Sequence, residues 1–378
     1  PYLILTVVAI QLSAMLNAIE KFWAAAAWSN FQNIAMIATL LLWRQFPNAA
    51  YAAAWGVLAG GFAQLFFMLW AARQHGLSLR ISWPRWTPEI REFFKALGAV
   101  TVGSATVFIA PFVDTIIASL LPTGSRTALY YADRINQLPL GVLGIALGTV
   151  LLPEMSARLA KNDRAGSDTA QNRAASLSLL LTLPFAAVFV AVPDVIMRAI
   201  FAHGAFDKSA ADLSAIALAA YGVGLPAFAL VRIVASTFYA RHDTATPARI
   251  TVLAMLSNIA LKVVLVWGFH FGIAGVALGT AFGAWLNVAI LTVLGRKRGL
   301  LSIDREFQSA ILPVLLAAVA AGGGAWGGAT LVRTMDVARF HNELTLAGAF
   351  VLGVLAYGLV VLTLRRALPL GRLAGAKA

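Results

Sequence analysis

Long apolar runs follow one another along this chain, with short polar segments between them. Each run approaches the roughly 20 residues that an α-helix needs to cross the hydrocarbon core of a bilayer. Inside that core only helices and closed barrels satisfy every backbone hydrogen bond. The sequence therefore predicts an all-α polytopic membrane protein with about eleven transmembrane helices, near 1–19, 23–43, 50–72, 94–121, 127–153, 174–193, 211–239, 248–268, 273–295, 310–332 and 344–364.

Composition supports this class and argues against several chemistries. Charged residues make up 12% of the chain, against about a quarter in soluble domains. The chain has no cysteine, which excludes disulfides, thiol catalysis and cysteine-ligated metals. It also lacks a GxxxxGK[ST] phosphate loop, a GxSxG elbow and an HExxH pair, so nucleotide hydrolysis and these hydrolase mechanisms are not expected. The sequence predicts a transporter, not an enzyme, with no cofactor and no metal site.

Basic residues are unevenly distributed between the two sides of the predicted membrane. Twenty lie in alternate connections on one side and in the C-terminal segment, six lie on the other side, and three lie inside runs. Cytoplasmic loops carry the excess of Lys and Arg, so the C-terminus is predicted to be cytoplasmic. The net charge of +13 thereby reflects membrane orientation, and no nucleic-acid partner is expected. The connection 73–93 is either a linker between helix bundles or an amphipathic segment in the headgroup layer.

Asp133 and Arg134 form a charged pair inside the run 127–153. An arginine at the bilayer centre costs about 2.5 to 3.5 kcal/mol, so it should face protein or a watery cavity. Its planar fork of donors fits a phosphate or carboxylate. We hypothesise that Arg134 binds an anionic headgroup and that Asp133 orients it; the alternative is a salt bridge that only locks helices. The same run contains helix-weakening residues that predict a hinge, namely Pro139, Gly141, Gly144 and Gly148.

Three further charges lie inside predicted spans. Arg232 lies nine residues before Arg241, so it either lines a cavity or snorkels toward the membrane surface. Lys262 either snorkels or serves as a tethered cation that neutralises a buried carboxylate, for which Asp114 is the candidate. Asp114 in turn belongs either to such an ion pair or to a helix-end hydrogen bond.

Three segments carry a resemblance to a known family. YYADRINQLPLGVLGIALGTVLLPEMS at 130–156 resembles the core signature of the MurJ/MviN lipid II flippases of bacterial peptidoglycan synthesis, within the wider multidrug/oligosaccharidyl-lipid/polysaccharide exporter group. FYARHDTATPARI at 238–250 and FAHGAF at 201–206 are similar to further segments of that family. The resemblance extends over essentially the whole chain.

The resemblance implies a fourteen-span carrier with two lobes and an additional C-terminal helix pair. The eleven runs match spans 4–14, so the chain is expected to be N-terminally truncated by three spans. The implied organisation is a remainder of the N-terminal lobe at 1–72, a cytoplasmic amphipathic linker at 73–93, a C-terminal six-helix lobe at 94–295, the helix pair at 310–364 and a basic cytoplasmic tail at 365–378.

The resemblance also implies roles for single residues. The essential cavity arginine of the family corresponds to Arg134 and its acidic neighbour to Asp133, whereas Gln137 stands where the family has a further carboxylate. Some members bind sodium through residues that match Asp114, Asn258 and Thr280, but here Lys262 replaces the second carboxylate. Because hard cations need oxygen ligands, we predict that Na⁺ is not the coupling ion and that Lys262 pairs with Asp114.

The implied function is flipping of lipid II, the undecaprenyl-diphosphate-linked disaccharide-pentapeptide, across the bacterial inner membrane by alternating access. A central cationic cavity would bind the diphosphate, with Arg134, Asp133 and Arg232 as substrate-binding residues. Expected partners are lipid II, membrane lipids and cell-wall synthesis enzymes. Two alternatives remain: an exporter of another polyprenyl-linked glycan or of a drug, and a non-transporting cell-wall scaffold.

Overall fold

The computed structural model describes residues 1–77, 87–146, 151–161, 163–204, 206–335 and 340–365. Within these ranges the protein is all-α, as predicted, and each of the eleven apolar runs coincides with a helix. Two short helices lie between the runs. The helices are α1 (Tyr2–Ala18), α2 (Phe22–Leu41), α3 (Ala49–Gln74), α4 (Pro88–Ser119), α5 (Ser125–Ala146), α6 (Leu152–Ala160), α7 (Arg164–Ala191), α8 (Pro193–Phe201), α9 (Lys208–Tyr239), α10 (Ala245–Val263), α11 (Gly272–Lys297), α12 (Arg305–Arg333) and α13 (His341–Thr363).

Seven of the described helices are long and apolar enough to cross a membrane: α3, α7, α9, α10 with the π-helical turn that follows it, α11, α12 and α13. The polytopic membrane class predicted from the sequence is confirmed. Helix α5 has sufficient length but falls outside this set, because Asp133, Arg134 and Asn136 interrupt its apolar residues. Its polar content therefore distinguishes α5 from the neighbouring helices.

Several helices begin at a residue that suits the N-terminus of a helix. A carboxylate or amide oxygen accepts a hydrogen bond from a backbone N–H of the first turn, which satisfies one of the helix's unpaired donors. Asn48 caps α3, Asp163 caps α7, Asp207 caps α9 and Asp304 caps α12.

The chain divides into two compact units, residues 1–91 and 92–378. The first unit packs α1, α2 and α3 around a small apolar core that contains Leu12, Leu16 and Met68. The predicted linker at 73–93 spans the boundary between the units, and its residues 78–86 lie outside the described ranges. Of the predicted basic tail, residues 366–378 also lie outside them.

Helix α9 is the most deeply buried span of the second unit. Its fully buried residues, among them Leu218 and Leu225, pack in the main core with side chains of α4, α5, α7, α8 and α11. Helix α12 packs against α13, where Gly328 and Gly348 face each other and a Cβ on either would meet backbone of the other helix. The small residues allow the two helix backbones to approach closely.

Candidate functional site

A cavity of about 610 Å³ lies inside the second unit, between α4, α5, α9, α10 and α11. Among the described residues its wall carries two carboxylates, Asp114 and Asp133, and one guanidinium, that of Arg126. Several uncharged polar side chains complete the wall: Thr115, Thr127, Tyr130, Tyr131, Asn136, Gln137, Tyr221, Asn258 and Thr280. A polar cavity enclosed by apolar helices is a candidate binding site.

Helix α5 turns a polar face toward this cavity. Its residues at 126, 130, 133 and 137 line the wall, and their spacing of four, three and four places them on one side of a helix. The Gln137 side-chain amide donates a hydrogen bond to the Asp133 carboxylate. Arg126 was not identified from the sequence as a site residue, although its helical spacing from Asp133 could have indicated it.

Arg134 lies about 100° further around α5 than Asp133. Its side chain is exposed, and the described residues that line the cavity do not include it. The guanidinium carbon lies 4.8 Å from the centre of the Tyr130 ring, a distance at which a cation is attracted to the face of an aromatic ring. Because Tyr130 itself lines the cavity, Arg134 lies directly beside the site, on its flank.

Lys262 and Asp114 form an ion pair between α10 and α4. The lysine side chain is 1% exposed and the aspartate side chain 20% exposed, so the snorkelling alternative for Lys262 is wrong. Lys262 Nζ donates to Asp114 Oδ1. The structure thus brings together two of the four residues of the predicted ion-pair site, while Asn258 and Thr280 line the same cavity as Asp114.

Glycines of α11 make room for this pair. Gly275, Gly279 and Gly283 recur every fourth residue and face α10. A Cβ on Gly279 would overlap the Lys262 side chain, and a Cβ on Gly283 would lie 2.8 Å from the Cβ of Asn258. The close contact of α10 with α11 therefore encloses Lys262, and the GxxxGxxxG spacing in the sequence could have indicated it.

The residues at this position do not fit the sodium ion that the family resemblance implies. A hard cation needs a shell of oxygen ligands, and here the Asp114 carboxylate is bound by the Lys262 ammonium group. The Lys262 ammonium group would repel a sodium ion placed next to this carboxylate. Among the described residues no group of three acidic or histidine side chains is placed to hold a metal ion.

The remaining predicted residues do not belong to the described part of the cavity wall. Arg232 is exposed on α9, and the described lining does not include it. Pro139 is buried in α5, and a Cβ on Gly141 would meet none of the described atoms within 4 Å. Gly144 lies on the last turns of α5, and Gly148 lies outside the described residues.

Short helix α8 is fixed by ion pairs with the first turns of α9 and the last turn of α12. Arg198 binds Asp212 of α9 through two contacts of 2.6 and 2.8 Å, and hydrogen bonding to this carboxylate raises the pKa of Arg198. Asp194 binds Arg333 at the end of α12, with 2.5 Å between the nitrogen and oxygen atoms. These contacts hold α8 between α9 and α12.

Comparison with known proteins identifies what the chain is similar to. Residues 1–363 match the family model described as "Lipid II flippase MurJ". A probable lipid II flippase MurJ of Rhizobium tropici is 34% identical over 85% of this chain, and one of Vibrio cholerae is 30% identical over 96% of it. A solved structure described as "Lipid II flippase MurJ, inward closed conformation" matches with a TM-score of 0.76 and 23% identity, over 97% of this chain and 73% of that chain. The last similarity shows a common fold.

The chain is shorter than these relatives. The matched part covers 61% of the length of the Rhizobium tropici protein and 69% of the length of the Vibrio cholerae protein. For a further probable lipid II flippase MurJ, from Rhizobium meliloti, it covers 55%.

Proposed function

The chain belongs to the MurJ family of lipid II flippases, and from this premise we propose that the protein carries lipid II across the bacterial cytoplasmic membrane by alternating access. Membership in this family favours transport over catalysis. The uneven distribution of basic residues supports a cytoplasmic C-terminus. Labelling of single cysteines introduced at Lys297 and Lys208, in a chain without cysteine, tests this orientation; labelling of both from the same side would contradict it.

The observation that carries the proposal is the polar face of α5. A carrier for a charged lipid needs fixed charges within the membrane span, next to a space that the headgroup can enter. Helix α5 supplies Arg126 and Asp133 on the cavity wall and Arg134 beside it. The ion pair with Lys262 compensates the charge of Asp114, so Asp133 is the remaining carboxylate of the described wall beside the guanidinium groups of α5.

Arg134 is our candidate for the group that binds the diphosphate. A guanidinium presents a planar fork of donors that matches phosphate oxygens and is always charged. Stacking on Tyr130 limits the orientations of the Arg134 side chain, which lowers the entropy lost on binding. Arg126 lies eight residues earlier, about 12 Å along the helix, so it would meet a different part of a large headgroup.

Pro139 and Gly141 are our candidates for a hinge directly after the charged face. Proline lacks the N–H that would bind the carbonyl of Ile135, one turn earlier in α5. Among the described residues no atom lies within 4 Å of a Cβ placed on Gly141, which favours bending of α5 there. Bending at this point would move the polar face relative to the rest of the helix, as alternating access requires.

Complementation of a bacterial strain depleted of its lipid II flippase tests the proposed function. We expect Arg134→Ala, expressed from the complete gene, to abolish growth, and Arg134→Lys to restore part of it because a cation remains without the planar fork. Arg249→Ala, which removes an exposed arginine at the start of α10, serves as the control and should complement fully. Full complementation by Arg134→Ala would contradict the proposal.

The same assay examines Arg232, which the sequence placed among the substrate-binding residues. If Arg232 contacts lipid II, Arg232→Ala should reduce growth while the amount of protein in the membrane stays unchanged. Normal growth of this variant would remove Arg232 from the proposed site.

A further inference from the structure

The described residues 201–204 and 206, which we call the 201–206 turn, connect α8 to α9. The His203 carbonyl accepts a hydrogen bond from the Phe206 N–H at 3.2 Å. Gly204 within the turn has a φ of +62°, a conformation that favours glycine. The turn brings the rings of Phe201 and Phe206 to the same side, with their centres 6.0 Å apart.

These two rings enclose Tyr131 of α5. The centre of the Tyr131 ring lies 4.7 Å from that of Phe201 and 5.0 Å from that of Phe206, the latter in an edge-to-face arrangement. Aromatic pairs at such distances and angles attract each other beyond the area that they bury. All three side chains also pack against the main core of the second unit, so the position of Tyr131 is fixed from the turn.

Tyr131 in turn contacts the residue that supports Arg134. The Tyr131 and Tyr130 rings meet edge to face with their centres 5.7 Å apart, and the Arg134 guanidinium lies over the Tyr130 ring. The Tyr130 side chain is exposed, so its aromatic neighbour limits the rotamers that it can adopt. A continuous row of contacts therefore joins the turn to Arg134.

The turn is held from its other side as well. The His203 ring lies 3.6 Å from the Glu343 carboxylate of α13, and Asp207 caps α9 directly after the turn. The Asp207 carboxylate accepts hydrogen bonds from the Ala210 N–H and the Ser209 hydroxyl, which lower its pKa. Contacts with α9 and α13 thus fix the turn relative to the helices around it.

We propose that the 201–206 turn is a positioning element for the substrate site, in which Phe201 and Phe206 hold Tyr131, and Tyr131 holds Tyr130 beneath the guanidinium of Arg134. This inference rests on the proposed function, because it assumes that Arg134 binds the diphosphate. The turn itself does not contact the substrate. It keeps the Arg134 guanidinium over the Tyr130 ring, so that two of its N–H groups are free to bind one anion.

A double-mutant cycle between the turn and Arg134 tests the proposal. The measurement is equilibrium binding of undecaprenyl diphosphate to the purified protein, expressed from its complete gene. We expect Phe201→Ala and Phe206→Ala each to weaken binding by about three- to ten-fold, the effect of losing the aromatic contacts with Tyr131. In the Arg134→Ala background the same substitutions should weaken binding no further, since they act through Arg134.

Two conservative variants separate positioning from general destabilisation. Phe206→Tyr keeps the ring and should bind like the parent protein, whereas Phe206→Leu keeps the apolar volume without the ring and should show the weakened binding at an unchanged melting temperature. If Phe206→Leu weakened binding equally in the parent protein and in the Arg134→Ala variant, the positioning role alone would be overturned. Unchanged binding in Arg134→Ala would overturn the positioning role together with the proposed function.

Discussion

Two regions of the second unit place charged side chains inside helices that are otherwise apolar, and they treat the charge in opposite ways. At the contact of α10, α11 and α4, the Lys262 side chain is 1% exposed and paired with Asp114. On α5, Asp133 lines a cavity and the exposed guanidinium of Arg134 rests on Tyr130. A charge that is enclosed must be compensated by the protein itself. A charge that faces open space remains available to a ligand.

The glycines of the two regions differ in the same way. Gly279 of α11 lies directly against Lys262, whereas a Cβ on Gly141 of α5 would meet nothing within 4 Å. In the first region glycine serves close packing, and in the second it leaves a helix free to bend. We therefore propose a structural role for the buried pair of Lys262 and Asp114 and a binding role for the α5 region, and each proposal can be tested.

The largest expected effect on stability is that of Lys262→Ala. Removal of one partner leaves the Asp114 carboxylate uncompensated, which should destabilise the protein by about 3 to 5 kcal/mol. Thermal unfolding in detergent measures this loss. The double variant Asp114→Leu/Lys262→Met, which replaces the pair by apolar side chains, should recover most of it; a Lys262→Ala protein as stable as the parent would contradict the structural role.

A matched pair of glycine substitutions should give a smaller effect. Gly279→Ala forces a methyl group into the Lys262 side chain and should destabilise the protein by about 1 to 3 kcal/mol. Gly141→Ala meets open space and should raise stability by up to about 1 kcal/mol, because alanine favours the helix. Unfolding curves of the two variants under identical conditions make the comparison. Equal shifts would show that the two regions do not differ in packing.

The smallest expected effect is that of sodium, since replacing KCl by NaCl should leave the melting temperature unchanged. A sodium site with a Kd one hundredth of the salt concentration would add about 2.7 kcal/mol, which the same unfolding measurement would detect. Lys262→Asp, which replaces the ammonium group by carboxylate oxygens, provides the positive control and should gain stabilisation by sodium. Sodium-specific stabilisation of the parent protein would contradict the account of the Lys262 pair.

Sequence alone predicted the helices and one of the two charged regions. The runs coincide with helices because the length of an apolar segment is set by the thickness of the bilayer. The pairing of Lys262 with Asp114 was predicted because a buried ammonium group requires a carboxylate and because the family resemblance assigns both positions to one site. Both inferences depend on how deep a residue lies in the membrane. This depth follows from the position of the residue within an apolar run.

The direction in which a side chain points was less predictable. The depth of Arg232 left a cavity position and snorkelling open, and Arg232 lies exposed on α9; depth does not tell which neighbour a helix face contacts. Arg126 was counted among the loop residues, yet it lies on the cavity wall, since α5 begins one residue before it. The support of Arg134 through Tyr131 depends on the 201–206 turn, which is distant in sequence.

Transport of lipid II by reconstituted protein, expressed from the complete gene, tests the central claim most directly. We expect Arg134→Ala to abolish movement of lipid II between the leaflets of proteoliposomes while its melting temperature stays at that of the parent protein. The Asp114→Leu/Lys262→Met variant should continue to transport lipid II. Transport by Arg134→Ala at the parent rate, together with loss of transport in the double variant, would contradict the assignment of function to α5 and of structure to the buried pair.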